Sequence, residues 1–168
     1  WSSVVCSSDL FVLMIVVFIR TFLYIINPRL TKTYRNLEHY GNPEKILSDV
    51  EKQIRRRILL QTKTLILTPR YLVELSDDIC AIIPLPEVLW IYDHAAMRRT
   101  IKGRQLSYTI HVVTMKGEEY TLTGKSHREV SAIYHELNTR YPNFFFGYSK
   151  EHQEMVQYVL HEMKNEKA

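Results

Sequence analysis

Asp93 and His94 stand side by side in VLWIYDHAAM, and a carboxylate that orients an imidazole in a pocket is a general acid–base pair. The competing reading is an exposed strand end. The chain's seven histidines invite a metal site. His135-Glu136 opens HELNT and His161-Glu162 opens HEMKN, and neither completes H-E-x-x-H. His127 and His135 fall eight apart on one expected helix, with His152 and His161 on another, and no cysteine pair joins them. Histidines on polar helix faces are the expectation, with no metal and no cofactor. LTGKS resembles the end of a phosphate loop, but Glu119 stands where that loop requires its first glycine, and Gly117 is at the wrong distance. Ser126 beside His127 lacks a G-x-S-x-G elbow, and Asp77-Asp78 is ordinary turn chemistry. With no catalytic constellation complete, the chain reads as a non-enzymatic interaction or scaffold module. The alternative is a membrane-associated enzyme or ligand sensor using Asp93 and His94.

The basic residues are the strongest binding candidates. Arg98, Arg99, Lys102 and Arg104 crowd one inter-strand connection, and Arg55, Arg56 and Arg57 close a helix. Together they suit anionic lipid headgroups or another membrane protein, since a near-surface cation contributes about 1 kcal/mol to such contact. A solvated loop that keeps a sheet edge from aggregating is the competing reading. Trp90, Tyr92, Phe144, Phe145 and Phe146 could line a peptide groove, but aromatics of this kind are expected in the core.

The elements that carry these residues follow from periodicity. Asn42-Pro43-Glu44 is a helix start with cap, first-turn proline and acid, and Ile46, Leu47, Val50 and Ile54 form the helix's apolar stripe. From Ile58 the period changes. KTLILTP, YLVELS and ICAIIPL read as short strands, and EVLWIYDHAAMRR as a fourth, with Leu89 and Ile91 on one face and Val88, Trp90 and Tyr92 on the other. QLSYTIHVVTM alternates, with Leu106, Tyr108, Ile110 and Val112 together. EYTLTG returns from Lys116-Gly117 with Tyr120 and Leu122 inward. Ser126 to Glu129 is a capping box for a helix with Val130, Ile133, Tyr134 and Leu137 on one face, stopping at Tyr141-Pro142. Ser149 caps a last helix whose stripe is Met155, Val156, Val159 and Met163. The single cysteine of this region, Cys80 in ICAII, reads as a buried thiol.

The chain has 168 residues and a net charge of +4 with 18 acids, which does not argue for nucleic acid. Two distant cysteines exclude a disulfide framework. Residues 11–27 are nearly continuously apolar and read as a transmembrane helix, interrupted by Arg20 toward its downstream end. Asn27-Pro28 ends it, and Arg29, Lys32 and Arg35 place the following domain in the cytoplasm, at the cell membrane. The opening WSSVVCSSDL has no Met start. Its CSSDL is what the end of a common sequencing adapter encodes in frame, so residues 1–10 read as an artefact and the span as shortened; the competing reading is a genuine outer loop entering the membrane. Residues 28–57 form a helical connector and 58–165 the folded domain.

LTPRYLVEL, the IPLPEVLWIYDH strand, NPRLTKTYRNLEHYGNPEKI and the late FFFGYS resemble an uncharacterised bacterial membrane-protein family. In it, two transmembrane helices precede a pleckstrin-homology-like (PH-like) cytoplasmic domain. The resemblance covers residues 20 to about 155 and carries over no catalytic residue. It implies that 11–27 is the second of two spans. The fold class expected is α+β: an N-terminal transmembrane helix, then a small antiparallel PH-like sheet of about six strands flanked by helices.

Overall fold

A computed structural model describes Met14 and residues 31–76, 80–100 and 103–165, and of Arg98 and Thr100 only the backbone. The chain divides into two compact units, Trp1–Leu47 and Ser48–Ala168. In the first, α1 (Lys32–Glu38) is capped by Thr31, whose side chain accepts from the Tyr34 N–H at 3.3 Å. The start of α2 (Pro43–Arg56) is built as its sequence dictates. Asn42 Oδ1 accepts from the N–H groups of Glu44 and Lys45 at 3.0 and 3.3 Å, and Pro43 takes the first position, where no N–H is needed. Val50 is buried, but Leu47 of the expected stripe is exposed.

The second unit holds two four-stranded sheets, the first antiparallel and the second mixed. Sheet A is β1 (Leu60–Gln61), β2 (Leu65–Leu67), β3 (Tyr71–Leu75) and β4 (Cys80–Pro84), paired in chain order. A 3-10 turn at Leu85–Glu87 leads into sheet B. There β5 (Val88–Thr100) pairs with β6 (Gly103–Thr114), and β6 with β7 (Glu119–Lys125). On the other side of β5, the two-residue β8 (Phe145–Phe146) runs parallel to Trp90 and Ile91. Between β7 and β8 lies α3 (His127–Arg140), and α4 (Lys150–Asn165) follows β8. The main core has four sources: Leu65, Leu67, Leu72, Ala81 and Ile83 of sheet A; Leu85 of the 3-10 turn; Val88, Ile91, Ile110, Val112, Tyr120 and Leu122 of sheet B; and Val130, Ile133 and Leu137 of α3. A smaller cluster of Leu89, Trp90, Val113 and Val156 packs α4 on sheet B.

The expected fold class is corrected on two counts. The strands make two four-stranded sheets rather than one sheet of about six, with β1 and β8 too short to register as periodic runs. No helix among the described residues is long and apolar enough to cross a membrane, and the segment expected to do so, 11–27, lies outside them except for Met14. The faces of β5 are corrected as well. A register shift between Val88 and Trp90 inserts Leu89 as an extra residue against β6, which reverses the alternation downstream. Val88 and Ile91 therefore share the main core while Leu89 joins Trp90 in the other cluster. In α4, Met155 is exposed, while Val159 and Leu160 pack beside Val156. Cys80, opposite Leu75 at the hairpin end of the β3–β4 ladder, is exposed rather than buried.

The capping box forms as expected. The Glu129 N–H donates to Ser126 Oγ at 3.3 Å, and the Ser126 N–H and hydroxyl both donate to Glu129 Oε2 at 2.8 Å. Burial pushes the Glu129 carboxyl up, but the Ser126 bonds, a Thr62 bond and nearby Lys125 outweigh it and hold the group below its usual range.

Candidate functional site

β5 and β6 are paired rung by rung to Thr100 and Gly103, but their neighbours stop early. β8 ends opposite Ile91, and β7 ends with Lys125 opposite Tyr108. Beyond that point, among the described residues, the two strands continue as a ribbon of their own. The sequence explains the change: Ile91 and Ile110 are the last buried β-branched residues of these strands before it, and His94, Ala95 and Ala96 supply little to pack. The ribbon, residues 94–100 and 103–107 among those described, is an arm whose described side chains are nearly all exposed.

Alternation gives the arm two different faces. The face continuous with the main core carries Ala95 opposite Tyr108, Met97 opposite Leu106, and Arg99 opposite Arg104. Met97 is 70% exposed and Leu106 48%. The other face carries His94 opposite Thr109 and Ala96 opposite Ser107, with Arg98 in register with Gln105. Like charges directly across a ladder destabilise it by a few tenths of a kcal/mol or more. Among the described residues neither Arg99 nor Arg104 has an ion pair. From His94 to Gly117 the sequence has no acid and holds Arg98, Arg99, Lys102, Arg104 and Lys116. Of the cations expected at the connection, Arg98, Arg99 and Arg104 sit on the arm, and Lys102 lies outside the described residues. Arg55, Arg56 and Arg57 are on a different element. Arg55 is bound to Glu51 at 2.6 Å, and the last turns of α2 are tied to the β2–β3 turn. There Asp49 accepts from the Tyr71 hydroxyl at 2.9 Å, and Gln53 from the Arg70 N–H at 3.2 Å.

The acid–base pair is not assembled. Asp93 and His94 occupy opposite faces of β5. Asp93 accepts from the Tyr134 hydroxyl at 3.0 Å, a bond that, after burial, helps push the Tyr134 phenol far up. His94 is exposed in the arm. Around Asp93 an open groove of about 570 Å3 is lined by Ser131, Tyr134, His135, Asn138, Phe146 and Gly147. His135, not His94, is the imidazole on its wall. Ser126 is consumed by its cap. Among the described residues no group of three or more His, Cys, Asp and Glu could hold a metal ion. His111 meets Glu119 at 2.9 Å and stacks on Tyr92. His152 meets the Gly147 carbonyl at 3.2 Å, and His161 meets Asn165 at 3.1 Å. The aromatics are packing groups: Phe144 and Phe146 lie against the main core, and Tyr92 and Phe145 against the smaller one. The Trp90 indole N–H donates to the Gly147 carbonyl at 2.8 Å.

A site that sequence reasoning missed is Lys125, only 2% exposed. Its ammonium donates to both oxygens of Glu74 at 2.7 Å and to Thr64 Oγ1 at 2.5 Å, which satisfies all three of its protons. A bulge aims it inward. Between Leu122 and Lys125 strand β7 carries one residue more than β6. Gly124 takes φ 73, a left-handed conformation that glycine adopts without strain. The LTGKS stretch is therefore a bulge followed by a helix cap, and its lysine joins sheet B to sheet A. The signal present in the sequence was a glycine just before a strand's end.

Neither a curated protein nor a solved structure matches this chain. Residues 42–156 match the family described as Domain of unknown function (DUF6709), a stretch that takes in both sheets, the whole arm and α3. The chain belongs to the DUF6709 family.

Proposed function

We propose that this domain is a non-enzymatic interaction module of PH-like build that holds an anionic partner with the β5–β6 arm. The observation that carries the reading is the rung where Arg99 faces Arg104, exposed in a stretch of 24 residues without an acid. Two guanidinium groups on one face present paired donors to phosphate or carboxylate oxygens. An anion between them removes their mutual repulsion and adds its own attraction. The PH-like comparison draws support from the order of elements, a run of consecutive antiparallel strands in two layers with a helix packed on the core they share.

Elution of the full chain from a heparin matrix in a salt gradient tests the reading. Arg99→Gln/Arg104→Gln is expected to elute at clearly lower salt, because exposed charge pairs are screened beyond about 10 Å at 0.1 M ionic strength. Arg55→Gln/Arg56→Gln is expected to move less, since Arg55 already has Glu51. Equal elution of the arm variant and the parent overturns the assignment.

A further inference from the structure

We infer that the arm's partner is an anionic bilayer surface, on which the ribbon lies flat with Met97 and Leu106 turned into the headgroup zone. The inference rests on the reading above and adds the occupant. A nucleic acid or an acidic protein would be served by the arginines alone, and neither explains an exposed apolar rung beside them. Met97 at 70% and Leu106 at 48% exposure are directly opposed, with the Ala95–Tyr108 rung behind them and the arginine pair ahead. That order is amphipathic in the plane of the ribbon. Apolar side chains can enter the interface by about 5–10 Å, while the long arginine stems run along the same face and leave their charges at phosphate level. His94, Ala96, Ser107 and Thr109 occupy the reverse face, with Arg98 in register with Gln105, and that face stays in water. A cytoplasmic leaflet has the surface charge this arrangement fits, and each near-surface cation strengthens the contact severalfold. The arm is also small. Seven residues of β5 span roughly 23 Å at about 3.3 Å per residue. A ribbon of that size presents little area to a protein partner, for which a stable interface takes about 800 Å2 per side.

The test reads the environment of single positions in the full chain. Residues 10–26 are apolar but for Arg20 and Thr21, so vesicle binding as such is not the readout. An environment-sensitive fluorophore is placed at Met97→Cys, or at Gln105→Cys on the reverse face, with Cys6→Ser and Cys80→Ser in both. Vesicles are phosphatidylcholine alone, or phosphatidylcholine with about one third phosphatidylserine. Expected is a blue shift and severalfold gain at 97 on anionic vesicles, little change at 105, and none at either position on neutral ones. Arg99→Gln/Arg104→Gln should move the lipid titration midpoint about thirtyfold. No gain at 97 on anionic vesicles, with the arginine-dependent retention on heparin intact, overturns the lipid occupant and leaves a polar macromolecular partner. Equal gains at 97 and 105, or on neutral vesicles, overturn the flat, charge-driven contact. Loss of both the gain and the retention overturns the underlying reading as well.

Discussion

Lys125 shows how a single backbone conformation decides what a side chain does. Its Cβ would fall on the solvent face of β7 if the strand alternated regularly after Leu122. The extra residue at Gly124 turns it inward, where Glu74 and Thr64 complete its bonds. Removing one partner of a buried pair strands the other's charge, at about 3–5 kcal/mol. Lys125→Met should therefore lose that much stability in urea or thermal unfolding. Lys125→Met with Glu74→Leu should recover most of it, because two apolar side chains of similar volume need no partners. Equal stability of the two variants would show that the bond pair contributes no more than its packing. None of this was legible from composition. LTGKS contains the glycine, but a strand's parity depends on its neighbour's register, and Glu74 is 51 positions away. By contrast, the capping box at Ser126 and the Asn42-Pro43 start were fully legible, because both are satisfied within four residues.

At the scale of elements, short-range patterns identified the six longer strands and the helices, while the pairings that need distant partners were hidden. β8 is two residues long and exists because Trp90 and Ile91 offer it an edge. The bulge at Leu89 reversed the expected faces of β5 for the same reason. The arm was visible as a crowd of cations, yet its length was not, since nothing local says where β7 and β8 stop. The arm's independence from the core makes a direct prediction. Ala95 and Tyr108 are paired across the ladder, and a two-residue Asn-Gly turn closes such a pair. Replacing residues 96–107 by Asn-Gly should change unfolding free energy by less than about 0.5 kcal/mol, because the described side chains among them are largely exposed and belong to neither core cluster. The same variant should lose retention on heparin. A large drop in melting temperature would show that the arm is part of the folding unit.

At the scale of the whole molecule, the two sheets share an alkaline limit. Tyr71 on sheet A and Tyr92 on sheet B are each pushed from 10.0 up to about 12, first by burial and then by hydrogen bonds to Asp49 and Glu119. A folded-state pKa above the unfolded one favours the folded chain while the phenol is neutral in both states, below about pH 10. As pH rises from 10 toward 12 the unfolded chain ionises first, so that advantage is lost. Thermal unfolding across that window should show a falling melting temperature, and Tyr71→Phe/Tyr92→Phe should flatten the slope. An unchanged slope in the double variant would move the titration to other groups. One feature reaches past this chain to its kin. The clip of Glu74 and Lys125 is reciprocal, so natural drift cannot alter one half without leaving an orphan ion in the interior. Relatives that carry a neutral residue at either place are expected to carry one at both. Grafting the first sheet of such a relative onto the second sheet of this protein should give a hybrid that folds only after the mismatched half is exchanged too.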